Sequence, residues 1–153
     1  PFTAEKAMPE KWMESLRKSG GEYGAATGRP RRVGPFDAVA SAYGLKCQNA
    51  DKIALTKLDV LSRMDEIPVI TAYKLNDELI TEFDPLDDLD SMTPVIQTLP
   101  GWNTDISKCR KYEELPENAR KYIETLEHLL NHEIQFISVG AERNQYLTKG
   151  EWL

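Results

Sequence analysis

The stretch PENARKYIETLEHLLNHEIQFISVG, residues 116–140, decides the fold class, because a helical pattern is followed directly by a strand pattern. Pro116 suits the first position of a helix, and apolar side chains then recur at helical spacing as far as Leu130. This stripe indicates a core-facing surface rather than a cofactor contact, and it consists of Ala119, Tyr122, Ile123, Leu126, Leu129 and Leu130. The apolar run Ile134–Val139 predicts a strand that enters Gly140.

Working outward from this stretch, the same signals predict further helices and strands. Helices are predicted at Pro9–Ser19, ended by Gly20-Gly21, and at Asp37–Tyr43, stopped by Gly44. Strands are predicted at Ile53–Leu58, Ile67–Leu75, Glu78–Phe83 and Pro94–Thr98, with an exposed acidic loop at Asp84–Asp90. Because the two kinds of element do not alternate strictly, we expect one mixed α/β (α+β-like) domain over residues 1–153, a mixed sheet flanked by helices.

Composition favours a cytoplasmic globular protein. The 153 residues are 41% apolar and 29% charged, and the net charge of -6 disfavours a nucleic-acid partner or an anionic membrane. No apolar run approaches the length that spans a bilayer, and no secretory leader opens the chain. The chain opens at Pro1 and Phe2 without a methionine, so we expect a piece of a longer protein.

The cysteines and histidines do not predict a metal site. Cys47 and Cys109 lack the spacing of a metal knuckle or redox pair, and free thiols are favoured over a disulfide between them. His128 and His132 have a spacing that zinc ligands use on helices, but no HExxH pattern contains them. A solvated helix end explains these histidines better than a zinc site does.

A glycine-rich basic loop, GAATGRPRRVG at Gly24–Gly34, is the first candidate site. It concentrates Arg29, Arg31 and Arg32 in an otherwise acidic chain, and Pro30 stiffens the backbone between the first two arginines. Arginine forks match carboxylate and phosphate oxygens in a bidentate manner. The loop therefore indicates either an anion-binding site or a solvated basic turn.

The segment Thr56-Lys57-Leu58-Asp59, at the end of a predicted strand, is the second candidate. A carboxylate such as that of Asp59 can accept from both N1–H and the exocyclic amine of guanine, which adenine cannot match. The stem of Lys57 can lie across the plane of the base. The alternative is that Asp59 only caps a short helix, Asp59–Met64.

A third segment, Ser138-Val139-Gly140, ends another predicted strand. Free backbone N–H groups on these small residues could bind a base carbonyl such as guanine O6, although an ordinary turn has the same composition. Neither GxxxxGK[ST] nor GxGxxG occurs in the chain, so other residues are expected to hold the phosphates of any bound nucleotide.

Taken in order, these segments resemble the adenylosuccinate synthetase family. The similarity covers the loop Gly24–Gly34 with Phe36-Asp37, Leu55–Leu61, Leu99–Trp102, Leu115–Ala119 and Ile137–Gly140. It implies that the loop residues Ala25, Ala26, Thr27, Gly28, Arg29, Pro30 and Arg31 bind L-aspartate, that Arg29 also contacts inosine monophosphate (IMP), and that Arg31 contacts GTP. It further implies that guanine is bound by Lys57, Leu58, Asp59, Ser138, Val139 and Gly140.

The resemblance also implies an activity that this stretch cannot perform alone. The family joins IMP to aspartate with GTP and Mg²⁺, usually as a homodimer, using a phosphate loop, a catalytic base and acid, and metal ligands that are absent here. We therefore expect no catalytic or metal-ligating residue in this chain, an apolar surface where the missing part packs, and a loop that is mobile without ligand. Two positions depart from the family pattern: Ala26 replaces a common threonine and Pro35 a usual tryptophan. A stand-alone, non-catalytic guanine-nucleotide-binding module is the alternative.

Overall fold

The computed structural model describes residues 7–84 and 88–150 and confirms the mixed α/β class. Contacts divide the chain into two compact units: unit 1 is Pro1–Cys47 with Pro68–Thr98, and unit 2 is Gln48–Ile67 with Leu99–Leu153. The single domain predicted over residues 1–153 stays a prediction, within which these two units are distinguished.

The helices are α1 (Glu10–Gly20), α2 (Ala38–Gln48) and α3 (Glu117–Leu130). The strands are β1 (Phe36–Asp37), β2 (Ile53–Leu55), β3 (Glu66–Leu75), β4 (Glu78–Ile80), β5 (Thr93–Pro100), β6 (Ile134–Ser138) and β7 (Tyr146–Thr148). Short 3-10 helices lie at Leu58–Leu61, Leu89–Ser91 and Tyr112–Glu114. None of the helices within the described ranges is long and apolar enough to cross a membrane.

Unit 1 is built around β3, which pairs in parallel with β1 and antiparallel with β4, and also pairs with β5. The turn between β3 and β4 is formed by Asn76 and Asp77, which both have positive φ, 50° and 66°. Its core cluster joins one helix to the sheet and consists of Val39, Ile70, Tyr73 and Met92. Of the predicted acidic loop, residues 85–87 lie outside the described part of the chain.

The helix predictions in unit 1 are right about existence but not about every boundary. Helix α1 ends as predicted, with Gly21 in the left-handed conformation (φ 60°). Helix α2 does not stop at Gly44 and ends instead before Asn49, whose φ is 49°. A glycine inside a helix costs only about 1 kcal/mol relative to alanine, so composition alone was a weak stop signal. Asp37 Oδ1 accepts from the Ala40 N–H at 2.9 Å and so caps the first turn of α2.

Unit 2 contains a three-stranded sheet in the order β2-β6-β7, with β2 parallel and β7 antiparallel to β6. Helix α3 buries the predicted stripe apart from Leu129, which is half-buried, and ends at Asn131 with φ 53°. The prediction of a buried strand as far as Leu58 is wrong, because β2 ends at Leu55 and is only half-buried. Cys47 and Cys109 are free thiols, as predicted.

Candidate functional site

The segment after β2 has an unusual backbone that places Lys57 and Asp59 on either side of a buried residue, Leu58. Lys57 adopts the left-handed conformation (φ 60°) immediately before the 3-10 helix Leu58–Leu61. Such a conformation is uncommon for a residue with a Cβ and often marks functional sites. Leu58 is only 1% exposed, so it fixes the turn in the core between its two polar neighbours.

Asp59 has one carboxylate oxygen whose acceptor capacity is not used within the described residues. Its Oδ1 is buried and has no hydrogen-bond partner in the parts of the chain that the structure describes. Burial raises the pKa of Asp59. A hydrogen bond from its own backbone and the charge of Lys57 oppose this shift, while the charge of Asp105 adds to it. A buried acceptor without a donor is costly, so its presence indicates a position for donors of a ligand.

The alternative role predicted for Asp59, that of a helix cap, is wrong. The residue at the cap position of the short 3-10 helix is Lys57, and Asp59 lies inside the first turn. The Asp59 carbonyl accepts from the Ser62 N–H at 3.0 Å, but this bond does not use the side chain. Capping therefore does not account for the carboxylate.

Ser138 lies beside Lys57 although the two residues are far apart in sequence. The Lys57 N–H donates to Ser138 Oγ at 2.8 Å. Strands β2 and β6 are parallel neighbours, with Leu55 paired to Ile137, so their carboxyl ends meet at one edge of the sheet. The structure thus brings the second and third predicted segments together.

The Ser138–Gly140 segment differs from the prediction in one respect. Val139 is fully buried, and its N–H donates to the Gln145 carbonyl at 2.9 Å, so the expectation of a free N–H at Val139 is wrong. Gln145 was missed because no motif spacing links it to the site. Its side chain packs so closely on Gly140 that a Cβ at that glycine would lie 2.2 Å from Gln145 Oε1.

The arginine loop of unit 1 is a small hairpin closed by its own backbone. Tyr23 and Pro30 form an isolated antiparallel bridge, the Gly24 N–H donates to the Arg29 carbonyl at 2.8 Å, and the Arg31 N–H donates to the Glu22 carbonyl at 2.9 Å. Gly28 makes the reversal with φ 64°. Residues 25–32 are all exposed, so their side chains are accessible to a ligand.

Two neighbours of the loop, Glu22 and Arg17, were not predicted from the sequence. Arg31 forms an ion pair with Glu22, with an N–O distance of 3.3 Å. Arg17 on α1, whose side chain is only 12% exposed, donates from Nε to the Arg31 carbonyl at 3.0 Å. These contacts fix the base of the loop. Any signal for them is tertiary, since α1 and the loop are brought together only by folding.

The described residues offer no site for a metal ion. Across the ranges 7–84 and 88–150, no three His, Cys, Asp or Glu side chains are grouped closely enough to hold one. His132 instead places Nδ1 2.9 Å from the Leu130 carbonyl oxygen, next to the end of α3.

Known proteins resemble this chain over nearly its whole length. A family model described as adenylosuccinate synthetase matches residues 1–147. The adenylosuccinate synthetase of Desulforamulus reducens is 46% identical over 133 residues, covering 86% of this chain and 31% of that protein. The one from Staphylococcus saprophyticus is 42% identical over 139 residues, covering 90% and 33%.

A solved structure shows the same fold. The fully ligated adenylosuccinate synthetase from Plasmodium falciparum matches with a TM-score of 0.88 and 38% identity, over 97% of this chain and 36% of that one. The chain therefore spans about a third of the length of the proteins it matches.

Proposed function

The chain belongs to the adenylosuccinate synthetase family, and from this we propose that it is the C-terminal third of such an enzyme, carrying the residues that read guanine and bind the acidic substrates. The proposed reaction of the complete enzyme joins IMP to L-aspartate while GTP is converted to GDP and phosphate. We also propose a cytoplasmic location and a homodimer for the complete enzyme.

The observation that carries this proposal is the unused carboxylate oxygen of Asp59. Guanine offers two adjacent donors, N1–H and the exocyclic amine, and a carboxylate can accept both at once. Asp59 is half-buried with Oδ1 unpartnered within the described chain, and Lys57 stands two residues before it. Bound guanine would provide the missing donors, which offsets the cost of burying the charge.

The role of the neighbouring residues follows from their positions. Lys57 is exposed, and its backbone is fixed by Ser138, so its alkyl stem can cover one face of the base. Leu58 is the buried anchor of the turn, and Ser138, Val139 and Gly140 form the second strand end, where the O6 carbonyl of guanine would bind.

The arginine loop supports a role in binding anionic substrates. L-Aspartate would contact the loop from Ala25 to Arg31. Within it, Arg29 would also contact IMP and Arg31 would also contact GTP. The loop arginines are exposed on a closed hairpin and are therefore accessible to ligands. Their guanidinium groups match carboxylate and phosphate oxygens in a bidentate manner. Their contribution is electrostatic stabilisation rather than proton transfer.

The groups that perform the chemistry are proposed to lie outside this chain. Neither a phosphate loop nor a set of metal ligands is found in the described residues, which do not fit the Mg²⁺ that the family implies. We expect the isolated chain to show no turnover with GTP, IMP and aspartate.

Replacing Asp59 by alanine in the complete enzyme tests the proposal. The KM for GTP should rise roughly 5- to 150-fold, the equivalent of one bidentate base contact, while the KM for IMP changes little. Asp51→Ala, at an exposed aspartate of unit 2, is the matched control and should leave both constants unchanged. An Asp59→Ala enzyme with the original KM for GTP would show that this carboxylate does not read the base.

A further inference from the structure

We propose that Gln145 is a positioning residue of the guanine site, whose side chain fixes the segment that binds the base carbonyl; this inference rests on the proposed function. The carboxamide lies directly against the backbone of Gly140. An added Cβ at Gly140 would lie 2.2 Å from Oε1, 2.4 Å from Cδ and 2.8 Å from Nε2 of Gln145. No side chain larger than that of glycine fits between them without displacing the carboxamide.

The hydrogen bonds of Gln145 close the loop that follows the site. Its backbone N–H donates to the Glu142 carbonyl, and its Oε1 accepts from the Glu142 N–H, both at 2.9 Å. Its carbonyl accepts from the Val139 N–H, also at 2.9 Å. One residue therefore fixes both ends of the turn between β6 and β7, and Gly140 lies inside that turn.

A fourth hydrogen bond connects Gln145 to the turn at Ser107. Gln145 Nε2 donates to the Ser107 carbonyl at 3.3 Å, an oxygen that also accepts from Arg110. Ser107 is held by Asp105, whose Oδ1 accepts from the Ser107 N–H at 2.9 Å.

The chemistry of the position explains why glutamine is suited to it. The side chain needs an acceptor for the Glu142 N–H and a donor for the Ser107 carbonyl, and a carboxamide presents one of each. Methionine has a similar length but lacks both groups. Gln145→Met should therefore keep the packing volume and remove only the two side-chain hydrogen bonds, with Glu142 and Ser107, that hold the carboxamide against Gly140.

The effect should appear as base recognition rather than as turnover. In the complete enzyme, Gln145→Met should raise the KM for GTP about tenfold, the equivalent of losing one hydrogen bond to the base carbonyl. The kcat should stay within about twofold of the original. Gly140→Ala would displace the Gln145 carboxamide by adding a Cβ at Gly140, and it should raise the KM for GTP similarly. Gln97→Met, at an exposed glutamine of unit 1, is the control and should change nothing.

Two nucleotide analogues separate positioning from a general structural role. 6-Thio-GTP carries a weaker acceptor at the position of O6, and ITP lacks the amine that Asp59 is proposed to read. In Gln145→Met the preference for GTP over 6-thio-GTP should shrink towards one, while the preference for GTP over ITP should be unchanged.

An unchanged KM for GTP in Gln145→Met would overturn the inference. An equal loss of the preferences over 6-thio-GTP and over ITP, together with a lower melting temperature, would also overturn it. If the unmodified enzyme does not prefer GTP to ITP, the proposed function itself fails and the inference falls with it.

Discussion

The segment Lys57–Asp59 of unit 2, proposed to bind guanine and called here the proposed guanine segment, differs from the arginine loop of unit 1 in what fixes its side chains. At the proposed guanine segment, the buried Leu58 anchors the turn, and Ser138 on a neighbouring strand accepts a hydrogen bond from the Lys57 N–H. The arginine loop is a hairpin of exposed residues closed by bonds between its own backbone groups. The first segment is fixed by a contact between residues 81 positions apart. The arginine loop is closed mainly by local backbone bonds, with one contact from α1 at its base, from Arg17 to the Arg31 carbonyl.

This difference matches what each region is proposed to recognise. Reading a base requires a donor and acceptor pattern held in place, because a misplaced hydrogen bond loses its discrimination. Binding of carboxylates and phosphates depends on charge and on the paired donors of arginine guanidinium groups, which can act from exposed side chains. We therefore expect substitutions at the closely packed backbone of unit 2 to lower the free energy of unfolding. Substitutions at the loop arginines should change only the affinity for substrates.

The largest expected effect comes from matched glycine substitutions. In Gly101→Ala the new Cβ would lie 1.7 Å from the Met64 carbonyl oxygen, a backbone atom that cannot move aside. In Gly28→Ala the Cβ meets nothing within 4 Å, and only the left-handed φ of 64° is unfavourable. Urea unfolding of the chain should show losses of about 3 kcal/mol and about 1 kcal/mol. Equal losses would contradict the contrast between framework and loop.

A smaller effect, confined to binding, is expected at Arg29. Because this side chain is exposed, Arg29→Ala should change the free energy of unfolding by less than about 0.5 kcal/mol. In the complete enzyme it should raise the KM for IMP and aspartate roughly 10- to 100-fold, the value of a charge-assisted contact. Arg29→Lys keeps the charge without the fork and should recover only part of the loss. A full recovery would show that charge alone is recognised.

The smallest effect concerns the pH dependence of stability at Asp59. Burial raises its pKa in the folded chain, so the folded state binds this proton more tightly than the unfolded state. The unfavourable contribution of Asp59 to the free energy of unfolding is absent below its unfolded pKa of about 4. It grows as the pH rises from that value through the folded pKa, and it is constant above. Because the group is partly solvated, Asp59→Asn should stabilise the chain at pH 7 by less than about 1 kcal/mol.

Thermal unfolding of the chain and of Asp59→Asn at pH 3 and pH 7 measures this difference. The two proteins should agree at the lower pH and separate at the higher one. A variant that is less stable than the original at pH 7 would show that the carboxylate makes a structural bond.

The sequence predicted the elements whose signals are local. Helix α3 was predicted because its apolar stripe is long and regular, whereas β7 was missed because three residues carry no pattern until β6 pairs with them. The proposed guanine segment and the arginine loop were singled out as candidate sites from motifs. Gln145 and Arg17 were not, since both act through contacts made only when distant residues meet.

The most direct test of the central claim exchanges the partner of Asp59. Xanthine carries a carbonyl where guanine has its exocyclic amine, so the amide of Asp59→Asn can donate to that carbonyl and still accept from N1–H. Activity of the complete enzyme with GTP and with xanthosine triphosphate should be compared for the original protein and for this variant. We predict that the original prefers GTP and that Asp59→Asn prefers xanthosine triphosphate. A variant that still prefers GTP would contradict the assignment of Asp59 as the residue that reads the base.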